Sequence, residues 1–303
     1  MTGAASRGGH AGRGPRRGRP LRVTFHGVRG SCPCSGPEYV RYGGNTSCVA
    51  VEVGDEPPIV LDLGTGLRPL GHELEDRYGS DAAVQLTSFL THLHWDHIIG
   101  LPFCRPILRF GGHMDVYGPA QAGHSLHEVI DRVVVPPFFP VQVKDLHGSI
   151  LFHEVGDDSL AVGSAKVLVR QVPHVGATLG FRIEAGGRSL AFVSDHQAPA
   201  DRQTIADAVL ELCDGADLVV HDAQYTDEEF VEKATWGHST IDYAVHVAAE
   251  AGARALVLYH HDPVHTDDDM DRLLDHASRA PGAERLTTVL AAAEGMSIDL
   301  ATG

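Results

Sequence analysis

The run Thr91-His92-Leu93-His94-Trp95-Asp96-His97 constrains this chain more than any other stretch, because His92, His94, Asp96 and His97 are all strong metal ligands. It directly follows Val84, Leu86, Phe89 and Leu90, whose apolar pattern predicts a buried strand, so the ligands fall where strand gives way to loop. Alternate residues of an extended segment share a face, which turns His92 and His94 together, while Asp96 and His97 lie on the next bend and can serve a second centre. One short loop thereby offers parts of two sites. Imidazole nitrogens with a carboxylate suit zinc and also accept manganese or iron. With 20 His in 303 residues some clustering is expected by chance, but an ordered His-x-His-x-Asp-His run is harder to obtain that way.

Three later strand ends each add one candidate ligand. Val167, Val169 and Val172 lead into His174, Leu190 to Val193 lead into Asp195, and Leu256 to Tyr259 lead into His260. Taken with the opening run, this order resembles the metallo-β-lactamase superfamily over roughly residues 21 to 300. The resemblance implies a four-layer αββα sandwich. It also implies one metal on His92, His94 and His174, a second on Asp96, His97 and His260, and Asp195 as a bridge. Within Asp62-Leu63-Gly64-Thr65-Gly66, it implies a buried Asp62 that fixes the ligand loop; without the resemblance, an Asp at a strand end before Gly reads as a turn former.

Two further segments, His221-Asp222-Ala223-Gln224-Tyr225 and Trp236-Gly237-His238-Ser239-Thr240, resemble the His-Glu-Ala-Thr and Gly-His-Ser-Thr elements of the RNase Z group of that superfamily. The resemblance implies that Asp222 and His238 form a dyad that protonates a leaving oxygen, with Asp96 beside them in the catalytic set. The sequence departs from the pattern by Asp for Glu at 222 and by Gln224 for Thr. Independently, His238 precedes Ser239, the expected N-cap of an amphipathic helix with Ile241, Val245 and Ala248 inward, and helix N-termini favour anions. The plainer reading is a histidine packed on Trp236. His196 and His261 each adjoin an implied ligand and should point away from it, since neighbours on a strand face opposite sides.

The first 22 residues hold six Arg, two Pro and no acid, and they lack the apolar core of a signal peptide. Residues 1–20 are therefore expected to be a disordered basic tail ahead of one domain spanning 21–303. Without those six charges the formal net charge of −16 becomes −22, a body that should repel polyanions. Cys32, Cys34, Cys48, Cys104 and Cys213 are odd in number and scattered, which argues for reduced thiols in the cytoplasm. Cys32, Cys34 and Cys48 could supply three ligands of a structural zinc, but no fourth follows at convincing spacing, and ordinary packing thiols are favoured over metal ligands. No apolar run approaches the ~20 residues of a membrane span.

Two divalent ions about 3.5–4 Å apart suit phosphodiester hydrolysis, because they activate water and clamp both oxygens of an in-line displacement. The expectation is thus a two-metal phosphodiesterase, with zinc, manganese or iron, acting on a small or cyclic phosphodiester, a homodimer being admitted. RNase Z-type processing of RNA 3′ ends, acyl hydrolysis of thioesters or lactones, and a noncatalytic metal-binding module are the competing readings. RNase Z enzymes carry a long tRNA-binding arm between the third His and the bridging Asp. Here only 20 residues separate His174 from Asp195, and a hairpin around Gly186-Gly187 occupies them, so nucleic acid is not the expected partner.

Overall fold

A computed structural model of the chain describes residues 21–121 and 123–301, so the expected tail at 1–20 lies outside the described residues. The strands run β1 (Leu21–Gly27), β2 (Cys48–Val53), β3 (Ile59–Leu61), β4 (Gln85–Phe89), β5 (His113–Gly118), β6 (Ser149–Glu154), β7 (Asp158–Val162), β8 (Ala165–Gln171), β9 (Leu179–Ala185), β10 (Arg188–Val193), β11 (Leu218–Asp222), β12 (Ala255–Tyr259), β13 (Thr288–Ala291) and β14 (Ser297–Leu300). They build two 7-stranded sheets in the orders β14-β1-β2-β3-β4-β5-β6 and β13-β12-β11-β10-β9-β8-β7. In each sheet one half is antiparallel and the other parallel: β3 to β6 run parallel in the first, β10 to β13 in the second.

The central strands bury both faces, which is why their sequences read as near-continuous apolar runs. In β10, Leu190 and Phe192 enter the core between the sheets while Ala191 and Val193 enter the outer core under the helices. β12 repeats this with Val257 and Tyr259 inward, Leu256 and Leu258 outward. The helices α1 (Leu67–Tyr78), α2 (Trp95–Ile98), α3 (Leu126–Val133), α4 (Asp207–Cys213), α5 (Asp227–Lys233), α6 (Ile241–Glu250) and α7 (Asp267–Ala277) lie outside the sheets. Leu67, Leu70 and Leu74 of α1 pack with Leu86 and Val116 of the first sheet; Val245 and Ala248 of α6 and Met270 of α7 pack against the second. The αββα sandwich expected from the sequence is the fold observed, and among the described residues no helix is long and apolar enough to cross a membrane.

Helix ends follow local chemistry. Gly79, at φ 91, stops α1, and the boxes Thr226/Glu229 and Thr266/Asp269 cap α5 and α7. Residues 201–206 stay outside α4, because the Asp201 carboxylate accepts the Gln203 and Thr204 amides and winds that stretch into a turn. One helix start differs from the sequence reading. Ser239 is not the cap of α6; Thr240 is, accepting the Tyr243 amide at 3.1 Å. The Ser239 hydroxyl is instead spent on the His196 carbonyl at 2.5 Å.

Candidate metal centre

The candidate ligands all sit at carboxyl ends of strands, the edge where open α/β sheets place their sites. Asp62, just past β3 and fully buried, adopts the left-handed conformation at φ 62. Its Oδ1 accepts the Thr91 amide at 2.8 Å and the Thr91 hydroxyl at 2.9 Å, and its Oδ2 accepts the Ser47 hydroxyl at 2.8 Å. That carboxylate thereby pins the start of the ligand loop. His97 Nδ1 also lies 2.8 Å from Oδ2, which places the proton on Nδ1 and turns the Nε2 lone pair inward.

Two donor groups result. His92, His94 and His174 form one, Asp96, His97 and His260 the other, with the ligand atoms of each group all within 4.8 Å of one another. Asp195 stands between them with one oxygen for each. Its Oδ1 lies 3.7 Å from His92 Nε2 and 4.0 Å from His174 Nε2; its Oδ2 lies 3.2 Å from His97 Nε2 and 3.4 Å from His260 Nε2. The Nε2 atoms of His97 and His260 are 3.2 Å apart, and Asp96 Oδ2 is 3.1 Å from each. His92 Nε2 and Asp195 Oδ1 are buried with no hydrogen-bond partner, an expensive arrangement for protein alone and a natural one around a cation. The donor set therefore fits divalent metal ions.

The electrostatics point the same way. Burial pulls the pKa of His92 well below the ordinary imidazole value, with His97 adding to the shift, and burial lowers His94 and His174. Burial also works against a proton on His97, yet the carboxylates of Asp96, Asp195 and Asp62 hold its pKa well above the usual range. Burial opposes ionisation of Asp96 and Asp195 as well, and the surrounding imidazoles reverse it, keeping both far below the ordinary carboxylate value. One group offers neutral nitrogens; the other is rich in negative charge.

The outward nitrogens of His92, His174 and His260 each have their own partner. Thr91 Oγ1 meets His92 Nδ1 at 3.0 Å, the Gly237 carbonyl accepts from His174 Nδ1 at 2.6 Å, and Gln224 Oε1 accepts from His260 Nδ1 at 2.9 Å. Gly237, at φ 99, is required at its position, since a Cβ there would lie 2.4 Å from the His174 ring. The segment between β1 and β2, here called the rim segment, joins in through Ser31, whose amide donates to Asp96 Oδ2 at 2.7 Å.

Beside the two groups, His238 Nδ1 lies 2.9 Å from Asp222 Oδ2, so the shorter Asp carboxylate does reach the imidazole. Asp222 is held in turn by the amides of Gln224 at 3.1 Å and His196 at 3.2 Å. Burial lowers the His238 pKa, but Asp222 outweighs it and the net shift is upward. His238 stands two residues ahead of the cap of α6, so the carboxylate and not the helix end governs it. It also stacks on His260 with ring centroids 5.0 Å apart and groups with Asp195 and His260. His261 turns away to the Ala292 carbonyl at 2.9 Å, and His196 pairs with His221 at 3.1 Å, as their places beside ligands predict. Cys48 lies buried between the first sheet and α1 while Cys32 is exposed, and among the described residues no metal-holding group includes a cysteine. Beside α2, an apolar cavity of about 370 Å³ is lined by Trp95, Ile98, Phe103, Ile130, Phe138 and Phe139.

Sequence reasoning missed Gln224 as a partner of His260, and Thr91, Ser47 and Ser31 as supports of the ligand loop. Comparison with known proteins agrees with the geometry. The Ribonuclease Z of Natronomonas pharaonis is 27% identical over 287 residues, covering 79% of this chain and 86% of the relative. Among solved structures, the metallo-beta-lactamase fold protein YhfI from Bacillus subtilis superposes with a TM-score of 0.67 at 18% identity, covering 93% of this chain and 99% of that one. The short form of human tRNase Z superposes with a TM-score of 0.63 at 21% identity, covering 91% and 98%. The family model for the beta-lactamase superfamily domain matches residues 80–261, from the start of the ligand loop's strand to just past His260, and the chain belongs to that superfamily of metal-dependent hydrolases.

Proposed function

We propose that His92, His94 and His174 hold one divalent ion, that Asp96, His97 and His260 hold a second, and that Asp195 touches both in a phosphodiester hydrolase. The observation that carries this reading is Asp195, whose two oxygens face two separate donor groups while the Asp222–His238 pair stands alongside. When bound, two such ions supply charge neutralisation at phosphorus and activation of water. The chain's own residues do the rest. Asp62 and Gln224 fix the tautomers of His97 and His260. Asp222 occupies His238 Nδ1, which leaves Nε2 to hold a proton and deliver it to the leaving oxygen.

The relatives named Ribonuclease Z favour an RNA diester over the small substrate expected from the sequence, and 3′-end processing of tRNA is the substrate reading they support best. The second reading, a small or cyclic diester, keeps one specific support: β9 and β10 are joined through Gly186 and Gly187, leaving no room for a tRNA-binding arm between His174 and Asp195. The acidic body adds to it.

Metal-loaded, full-length protein should be assayed on a precursor tRNA, a cyclic nucleotide and a thioester. Cleavage of the precursor at its 3′ side with the highest kcat/KM establishes the ribonuclease reading. A higher value for the cyclic nucleotide establishes the small-substrate reading. Hydrolysis of the thioester alone overturns the phosphodiesterase assignment.

A further inference from the structure

We propose that Gln224 is a positioning residue that sets the strength of the second metal group through His260. The inference rests on the two-ion reading above and goes beyond it: Gln224 is one of the two positions, with Asp222, at which this chain departs from the RNase Z pattern.

Four observations converge on it. Gln224 Oε1 accepts from His260 Nδ1 at 2.9 Å, so the amide assigns the proton to Nδ1 and frees Nε2 toward Asp96 and Asp195. His260 is one of the few non-glycine residues at positive φ, 59°, and a ligand held in that conformation needs a partner to keep its ring in place. Gln224 Nε2 reaches Ser31 Oγ at 3.3 Å, and the Ser31 amide binds Asp96 Oδ2 at 2.7 Å, so Gln224 ties two ligands of the same group to one rim segment. The packing leaves little slack: a Cβ on Gly30 would lie 2.4 Å from His260 Nδ1 and 2.8 Å from Gln224 Oε1.

The comparison within the site sharpens the point. His97 and His260 face the same two carboxylates, but His97 is backed by the charged Asp62 and His260 by a neutral amide. A carboxylate behind an imidazole makes it a stronger ligand than an amide does, so Gln224 leaves the second group weaker than it could be. The first group, whose histidines are backed by Thr91 and Gly237, makes no contact with Gln224 through those partners.

The test is zinc competition against a chromophoric chelator, using chelator-stripped wild-type protein, Gln224→Leu and Gln224→Glu, with thermal unfolding of each stripped protein as a control. Wild type should bind two ions. Gln224→Leu should weaken one of them by about 10- to 100-fold and spare the other, the usual effect of losing a partner behind a ligand. Gln224→Glu should restore that site to wild-type affinity or better. Two ions bound by Gln224→Leu as tightly as by wild type overturn the proposal, as does an equal loss at both sites with a lowered unfolding temperature, which makes Gln224 a general packing residue. A wild-type protein that binds only one ion overturns the two-ion reading itself.

Discussion

Substituting Asp62 by Asn and by Ala separates the work that this carboxylate does for the fold from the work it does for the site. Asn keeps a carbonyl oxygen for the Thr91 amide and hydroxyl, which contact Oδ1 at 2.8 and 2.9 Å. On the other side its NH₂ meets Ser47 Oγ, which can exchange roles because that hydroxyl also lies 3.0 Å from Tyr259 Oη. The one contact that cannot survive is His97 Nδ1 at 2.8 Å, unless the imidazole moves its proton to Nε2. Asp62→Asn should therefore cost about 1–3 kcal/mol of stability, the usual effect of disturbing one charge-assisted bond in a buried network. Asp62→Ala leaves several buried donors without an acceptor and should cost about 3–5 kcal/mol. The metal effect does not track the stability loss: with a proton on Nε2, His97 can no longer donate a lone pair, and affinity at its group should fall by about 10- to 100-fold even in the better-folded Asn variant. Denaturant unfolding of the stripped proteins gives the first quantity and zinc competition the second. An Asn variant that binds two ions with wild-type affinity would refute the assignment of His97 Nε2 as a ligand.

Asp195→Ala should weaken both ions, since each group loses an oxygen, and elemental analysis should find fewer than two per chain; a loss confined to one ion rules out bridging. His238→Ala should lower kcat by about 10² to 10⁴ with metal content intact, most for poor leaving groups, and equal losses for p-nitrophenolate and alkoxide contradict a proton-donor role. Phe181→Ala should destabilise the fold by about 3–5 kcal/mol in denaturant unfolding, because this fully buried ring packs between the sheets against Phe89 at 5.4 Å. Thr266→Ala removes the cap of α7 and should cost about 1 kcal/mol.

The candidate donor residues could be picked out in the sequence because each follows an apolar run, and the fold brings the ends of those strands together. The shared face of His92 and His94 followed from strand periodicity, whereas the grouping of Asp96 and His97 with a second centre leaned on the family resemblance. The supports were hidden because they are long-range. Ser31 and Gln224 are 193 positions apart and meet only through the fold, and nothing local marks Ser47 as a partner of Asp62. Ser239 was misread as a cap because Ser and Thr serve equally well there, and the choice was made by the His196 carbonyl, which takes the Ser239 hydroxyl. Gln224 looked like a defect of the dyad; the structure keeps the dyad at 2.9 Å and gives the amide to His260.

Two ions and phosphodiester chemistry at one centre can both be tested on a single sample. Protein reconstituted with zinc or manganese, its metal content fixed by elemental analysis, should be assayed on bis-p-nitrophenyl phosphate and on a thioester. Two ions per chain with hydrolysis of the diester in preference to the thioester is the expected result. One ion or fewer, or a preference for the thioester, contradicts it.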